Sequence, residues 1–175
     1  MTDQRNRVEL MAPLKNPKSL NAVLDTTDAV YFGVESMNMR FYGDNFKLKD
    51  LPRIVGTCHD HGIKAYLTTN TIIYENELGL LDRILEQAAK AEIDAVIAHD
   101  IGAIETCKKF NLDFHVSTQA SISNSHSARF YENLGAQRLI LARELSLTQI
   151  KEIKKKLHSC EIETFVHGAQ CTSIS

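Results

Sequence analysis

Several features of membrane, secreted and nucleic-acid-binding proteins are missing from this sequence. It has no tryptophan and only three prolines, and no apolar run approaches the roughly 18 to 20 residues that a membrane span requires. Its first ten residues, MTDQRNRVEL, contain no apolar signal-peptide core, which favours a cytoplasmic protein. The net charge is -2, so the chain as a whole carries no basic signal for nucleic acid, although a local basic patch is compatible with this charge.

The common catalytic motifs are also absent. The sequence contains no H-E-x-x-H zinc motif, no G-x-S-x-G nucleophile turn and no Walker-type glycine loop. The segment CHDHG at 58–62 has the composition of a metal site, but it falls at the end of a predicted helix, on the rim opposite the expected ligand site. His59 and His61 are two residues apart on that helix and cannot share a ligand geometry, so we interpret them as solvated surface residues.

The four cysteines, at positions 58, 107, 160 and 171, show no C-x-x-C spacing. Without a secretion signal, a disulfide framework is not expected. Cys58 and Cys107 fall in helical patterns and are predicted to be buried small side chains. Cys171 differs because it follows a predicted strand and lies in a loop.

What the sequence does contain is a repeated alternation of strand and helix patterns. The strand patterns are nearly continuous apolar runs, as expected of parallel strands buried on both faces. Helical patterns with clear caps lie between them, such as Asn16 before Pro17 and the capping box SLTQ at 146–149. The predicted strands cover 8–13, 28–33, 64–70, 94–99, 113–118, 137–142 and 162–167.

This alternation predicts a parallel α/β protein, for which two architectures compete. A doubly wound sheet that binds a dinucleotide has a glycine-rich turn after its first strand, and the first turn here, APLKNPKS, has no glycine. A TIM-type barrel has eight strand–helix units in about 250 residues. We therefore predict a single partial, TIM-barrel-like domain over residues 1–175, with about seven strands and six helices and two open sheet edges.

In either architecture, ligands bind at the carboxyl ends of the strands. Polar side chains follow the strand patterns there, and such convergence is typical of a binding mouth. Each residue has a structural alternative: Asp100 is expected to cap a helix, Asn70 and Thr118 could satisfy loop backbone, and Arg143 with Glu144 could form a surface pair. We favour a functional role for the run STQAS at 117–121. The predicted substrate-binding set is Arg40, Asn70, Gln119, Arg143, Glu144 and His167.

The longest strand-to-helix loop, VESMNMRFYGDNF at 34–46, follows the second strand pattern. A loop of this length in a compact unit is usually a lid or a binding loop. Its Arg40 could hold a carboxylate or phosphate through the planar guanidinium. Alternatively, the methionine and aromatic side chains of the loop plug one end of the barrel, and both interpretations can hold together.

The chain resembles peptidase family U32, the collagenase-like peptidases. The resemblance extends over essentially the whole sequence, and its last three motifs are long and specific. The matching motifs are VELMAP, DAVYFG, the set Arg40, Asn45 and Phe46, YLTTNT, VSTQASISNS, LARELSL and FVHGAQC.

The resemblance implies a TIM-barrel-like fold and, for several members, hydroxylation rather than proteolysis. Such members act on a tRNA wobble uridine, on a ribosomal RNA cytidine or, without molecular oxygen, on the ubiquinone ring. In them, four cysteines hold an oxygen-sensitive 4Fe–4S cluster, and the first ligand lies in the motif H-G-A-x-C.

By the same resemblance, Cys171 matches the first cluster ligand, whereas the other three cysteines do not match ligand positions. We therefore expect a cluster in a longer parent protein and none in the 175-residue chain alone. The chain departs from the family pattern at Gln170, where Leu or Met is more usual, and in the final TSIS. These departures leave the substrate class open.

Three functions remain open at the level of sequence. The first is iron–sulfur-dependent hydroxylation of an RNA base or a quinone-like ring, with Arg40, Arg143 and His167 lining the mouth. The second is a peptidase that uses Cys171 and His167 as a nucleophile pair, which is less favoured because no orienting acid or oxyanion donor is apparent. The third is a non-catalytic module that docks RNA or a partner subunit.

Overall fold

The computed structural model describes residues 8–38 and 46–168, and in these ranges strands and helices alternate throughout. The strands are β1 Met11–Pro13, β2 Ala29–Phe32, β3 Lys64–Thr69, β4 Ala95–Ala98, β5 Phe114–Val116, β6 Arg138–Ile140 and β7 Glu161–Glu163. The helices are α1 Pro17–Val23, α2 Leu51–Asp60, α3 Leu78–Lys90, α4 Ile101–Lys109, α5 Ser125–Asn133 and α6 Leu147–Lys154.

The seven strands form one sheet in the order β1-β2-β3-β4-β5-β6-β7, and every neighbouring pair is parallel. Each strand thus pairs with its neighbours along the chain, which is the connectivity of a TIM-type barrel rather than of a doubly wound sheet. The architecture is a half-barrel with six helices, as the sequence predicts. The seventh strand is shorter than its sequence pattern, because the ladder ends at Glu163 and residues 164–168 continue as an exposed segment.

The two faces of the sheet pack differently. Side chains such as Val30, Val96 and Leu139 belong to the large core between the strands and the helices. The opposite face carries a smaller cluster that includes Tyr66 and Ile140 and forms the concave interior. This alternation follows from the two-residue period of a strand, and it explains why the strand patterns are apolar at nearly every position.

Local signals place the helix ends where the sequence predicts them. Asn16 caps α1 with Pro17 at its first position, and Ser146 with Gln149 forms the capping box of α6. Gly62 and Gly135, which follow α2 and α5, have φ values of +68° and +100°, a left-handed backbone that glycine adopts without a steric penalty. In the described ranges, no helix is long and apolar enough to cross a membrane.

The described part of the long loop at 34–46 belongs to the core. Met37, Asn38 and Phe46 are buried, and the ring of Phe46 meets that of Phe32 edge to face, with centroids 5.5 Å apart. Met37 and Phe46 belong to the core between the strands and the helices, so the interpretation that apolar side chains of the loop plug one end of the barrel stays a prediction. Arg40, Phe41 and the other residues of 39–45 lie outside the described residues, so their predicted role in a lid or in anion binding stays a prediction.

Candidate substrate-binding site at the carboxyl ends of the strands

The polar residues predicted for the carboxyl ends of the strands lie there, but some of them cap helices or turns. The Asp100 carboxylate accepts hydrogen bonds from the backbone N–H of Gly102 at 2.7 Å and of Ile73 at 3.3 Å. It therefore caps α4, as expected from the sequence, and also binds the loop that follows β3.

The run 117–121 is more structural than the sequence indicates. Ser117 caps a single 3-10 turn at Thr118–Ala120, and the Thr118 hydroxyl donates to the carbonyl of Leu141 at 3.3 Å. Ser121 then adopts a left-handed backbone with φ of +49°. The sequence pattern indicates no helix before Asn124 that these residues could cap. It does not reveal the short 3-10 turn that Ser117 caps. Gln119 lies half-buried on the turn, at the rim of the sheet.

A cleft of about 680 Å³ opens where β6 and β7 end and extends to the start of α6. We call it the rim cleft. Apolar side chains, an arginine, a histidine and backbone polar groups together form its walls, and its exposed surface is both polar and apolar. The wall residues used below are Leu141, Arg143, Leu147, Ile150, Phe165 and His167. The guanidinium carbon of Arg143 lies 4.1 Å from the centroid of the Phe165 ring, in cation–π geometry.

Two members of the predicted set, Arg143 and His167, thus lie in one cleft. Glu144 is exposed beside it, and Asn70 lies half-buried directly after β3. Phe165 is a wall residue that the predicted set omits, although its position in the strand pattern ETFVH, next to the end of β7, could have drawn attention to it. His99, which follows β4, is also missing from that set; its Nδ1 is buried and has no hydrogen-bond partner within the described residues.

A second polar cluster lies at the opposite end of the half-barrel, where the strands begin. Arg138 donates from Nη1 to Glu9 at 2.6 Å and from Nη2 to Glu161 at 2.8 Å, and it lies 3.5 Å from Glu163. We call these four residues the basal ion cluster. The hydroxyl of Tyr66 donates to Glu9 at 3.0 Å. The sequence does not reveal this cluster, because its members are single charges in otherwise apolar or solvent-exposed patterns.

The basal ion cluster contains carboxyl groups with opposite pKa shifts. Burial acts to raise the pKa of Glu9, but the hydrogen bond and charge of Arg138 outweigh it and lower the pKa to about 2. Burial dominates at Glu163 and raises its pKa to about 7, although Arg138 acts against it. The neighbouring His115 is buried beside Arg138, and both causes lower its pKa to about 3, so its ring is neutral.

The model of peptidase family U32 matches residues 15–175 of the chain. The chain belongs to this family. An uncharacterized protease of Methanocaldococcus jannaschii, MJ0090, is 42% identical over 96% of the chain, and a collagenase of Porphyromonas gingivalis is 38% identical over 97%. The tRNA hydroxylation protein P1 of Bacillus subtilis is 36% identical over 95%, and a 23S rRNA 5-hydroxycytidine synthase of Escherichia coli is 34% identical over 100%.

The chain spans less than half the length of these U32 relatives. It covers 42% of the M. jannaschii protein, 44% of the collagenase, 40% of the B. subtilis protein and 26% of the E. coli synthase. Among solved structures, the U32 peptidase Mk0906 superposes with a TM-score of 0.75 over 94% of this chain and 70% of that one. At 17% identity this likeness shows the fold alone, and it supports the TIM-barrel-like architecture.

The described residues of this U32 chain do not fit an iron–sulfur cluster. Such a cluster needs several thiolates that converge. Cys58 on α2, Cys107 on α4 and Cys160 before β7 are each at most 1% exposed, and burial raises their pKa to about 11, 12 and 11. Cys171 lies outside the described residues.

No other metal site emerges from residues 8–38 and 46–168, where no group of three or more His, Cys, Asp or Glu side chains could hold an ion. The histidines of CHDHG have structural partners: His59 contacts Asp94 at 2.9 Å and His61 contacts the carbonyl of Thr57 at 2.9 Å. Both histidines are exposed, in agreement with the sequence interpretation.

Proposed function

We propose that the chain is the substrate-binding half-barrel of an iron–sulfur-dependent hydroxylation protein that acts on a base of RNA. The observation that carries this proposal is the rim cleft, which lies at the end of the sheet where α/β barrels bind their ligands. Its volume of about 680 Å³ falls in the range of small-molecule sites, and its mixed polar and apolar lining can accept a polar ring. The names of two relatives, which modify tRNA and ribosomal RNA, favour an RNA base as that ring.

In the proposed function the residues of the rim bind and orient the ring. Arg143 and His167 offer polar groups in the cleft, and Leu141 and Ile150 contribute apolar surface to it. Arg40 and Glu144 remain candidates for further contacts with the substrate, as do Asn70 and Gln119 on the same rim. A longer protein that contains this half-barrel is expected to supply the remaining contacts, RNA-binding surface or partner subunit.

Cys171 is proposed as one ligand of a 4Fe–4S cluster in that longer protein. The buried cysteines of the half-barrel contribute none, because each is enclosed by a different part of the core. The 175-residue chain by itself is therefore proposed to bind no cluster, and we derive no chemical step from one. Cluster binding is tested by anaerobic reconstitution of the longer protein, with iron and sulfide counts and an absorption spectrum.

The second candidate is a peptidase, which the names of two relatives favour. A hydrolytic nucleophile needs a neighbouring base. Within residues 8–38 and 46–168, no hydrogen bond joins a Ser, Thr or Cys side chain to a histidine ring. The rings of His59 and His61, for example, contact Asp94 and the backbone carbonyl of Thr57. Cys171 with His167 is the pair that this candidate would require.

Nucleoside mass spectrometry separates the candidates. We expect a hydroxylated uridine or cytidine to disappear from tRNA or ribosomal RNA when the gene is deleted, and to return with the unaltered gene but not with Cys171→Ser. Cys160→Ser is the matched control, because that buried thiol is not a proposed ligand. Unchanged RNA in the deletion strain, together with gelatin cleavage that depends on Cys171, would establish the peptidase instead.

A further inference from the structure

We propose that a cavity at the base of the half-barrel binds an organic diamine, a linear cation with an ammonium group at each end. The cavity has a volume of about 560 Å³ and lies where β3 to β6 begin, at the end of the sheet opposite the rim cleft. We call it the basal cavity; the wall residues used below are Lys64, Asp94, Asp113, His115, Glu132 and Arg138. This site is independent of the proposed function, which concerns the rim cleft.

A buried histidine lines the basal cavity without a hydrogen bond at Nδ1. His115 lies on β5 and is 5% exposed, and its Nδ1 has no partner within the described residues. Its ring meets that of Tyr66 edge to face, with the centroids 4.7 Å apart, and this contact orients the imidazole. Because burial and the charge of Arg138 keep the ring neutral by lowering its pKa, Nδ1 can carry a lone pair and accept a hydrogen bond. A buried polar group without a partner costs free energy, and a ligand with a donor group would satisfy it.

Glu132 presents a second buried atom in the same cavity. Its Oε1 accepts hydrogen bonds from the backbone N–H groups of His158, Ser159 and Cys160. Burial acts to raise the pKa of this carboxyl group, but these bonds outweigh it and lower the pKa, so the group is ionised at neutral pH. Its Oε2 is buried and has no partner within residues 8–38 and 46–168. A carboxylate oxygen can only accept, so the partner that it lacks is a donor.

The charges of the wall favour a cation. Two cationic and four acidic side chains line the basal cavity. The cationic side chains already bind carboxylates, since Lys64 contacts Glu9 at 3.1 Å and Arg138 contacts Glu161 at 2.8 Å. Asp113 is exposed directly before β5, and no ion pair joins its carboxylate to a cationic side chain of the described residues. The uncompensated charge of the cavity is therefore negative, which complements a ligand with ammonium groups.

The spacing of the acceptors favours an elongated cation over a metal ion. Within the described ranges, no three His, Cys, Asp or Glu side chains lie close enough together to hold one ion. The acceptors come from separate segments, because Asp94 precedes β4, Asp113 precedes β5 and Glu132 lies near the end of α5. A diamine carries its N–H donors on two separate ammonium groups, so it can reach acceptors that a single ion cannot.

Isothermal titration calorimetry with three ligands of the same carbon chain length tests the assignment. Putrescine has an ammonium group at both ends, butylamine at one end and butane-1,4-diol at neither. We expect saturable binding of putrescine at low ionic strength, binding on the order of 10-fold weaker for butylamine, and none for the diol. A lysine side chain of another protein carries the single ammonium of butylamine. Equal affinities for butylamine and putrescine would therefore overturn the diamine and indicate a lysine instead.

Matched substitutions locate the site. Asp113→Asn should weaken putrescine binding about 3-fold, as for an exposed ion pair. Asp60→Asn on α2 makes the same change of charge outside the basal cavity, so its effect should stay below about 1.5-fold. Glu132→Gln should weaken binding on the order of 10-fold, because Oε2 is replaced by a donor. Far-UV circular dichroism shows whether Glu132→Gln is folded, and Asp113→Asn decides the question if it is not.

Nitrogen-15 NMR of the imidazole rings gives a direct measurement at the site. The resonances of His115 are assigned by their loss in His115→Gln. We expect putrescine to shift the Nδ1 resonance of His115, since this nitrogen gains a hydrogen bond, and to leave His61 on the surface unshifted. An unshifted His115 at saturating putrescine, or equal weakening by Asp113→Asn and Asp60→Asn, would overturn the site. Neither result bears on the rim cleft, because the two cavities share no wall residue.

Discussion

The basal ion cluster provides the sharpest test of how the half-barrel is held together. Replacing Arg138 by methionine removes the charge but keeps most of the side-chain volume. The arginine side chain is 9% exposed and contacts Glu9, Glu161 and Glu163. After the replacement, the partly buried carboxylate of Glu9 keeps Tyr66 and Lys64 as its hydrogen-bond donors among the described residues.

The expected cost follows from the pKa of Glu9. A lowering from 4.5 to about 2 corresponds to about 3 kcal/mol of preferential stabilisation of the charged form, at 1.36 kcal/mol per pH unit. Removal of one partner from a buried ion pair costs about 3 to 5 kcal/mol in general, which agrees with this value. Since domains are stable by roughly 5 to 15 kcal/mol, we expect Arg138→Met to lose a large share of the stability at neutral pH.

Urea unfolding at pH 7, followed by far-UV circular dichroism, measures the change. Arg129→Met is the matched control, because Arg129 is exposed on α5 and its loss should cost less than about 0.5 kcal/mol. The contribution of Glu9 is fully present above pH 4.5 and is lost as the pH falls through about 2, so the gap between the unaltered chain and Arg138→Met should narrow over that range. A cost no larger than that of the control would refute the reasoning.

Three further predictions concern single groups. Glu163 has a raised pKa of about 7, so the stability it contributes is present below pH 4.5 and is lost as the pH rises through 7. In urea unfolding measured from pH 4.5 to 8, the free energy of unfolding should therefore fall by about 3 kcal/mol in the unaltered chain, and Glu163→Gln should remove this fall. Asp100→Ala should lower the free energy of unfolding by about 1 to 2 kcal/mol at pH 7, because α4 loses its cap and the N–H of Ile73 loses its acceptor. Asp100→Asn keeps an acceptor oxygen, so it should be nearly as stable as the unaltered chain if capping is the role of Asp100. The three buried cysteines should react with a thiol reagent at pH 8 only at the rate of unfolding, so in a Cys171→Ser chain any fast-reacting thiol would contradict their burial.

Much of the fold could be predicted from the sequence because its local signals agree with the global arrangement. Continuous apolar runs indicate parallel strands, and the caps at Asn16 and Ser146 lie where helices begin. The end of β7 could not be predicted, because TFVH after Glu163 is as β-prone as the strand itself. Pairing with a neighbouring strand, rather than β propensity, decides where a ladder ends.

The candidate site could be predicted only in part. The rule that ligands bind at the carboxyl ends of parallel strands selects Arg143 and His167, which line one cleft, and their role in binding stays a prediction. It does not separate residues that face the cleft from those that bind the backbone: Asp100 caps α4 as the sequence predicts, whereas Ser117, in a run for which a functional role was favoured, caps a short turn. Contacts between distant segments, such as Arg143 with Phe165 or Arg138 with Glu9, leave no periodic signal and need the folded chain to be seen.

The sheet order has a consequence for how the chain folds. Each ladder joins strands that are consecutive in sequence, so every pairing closes a short loop, as in a repeat protein that grows unit by unit. The hydrogen bond between Arg138 and Glu9 instead joins residues 129 positions apart. We expect neighbouring strands to pair first, wherever pairing begins, and this bond to form after them because it joins distant parts of the chain. The basal ion cluster then forms at a late step of folding and links Glu9, before β1, to β6 and β7.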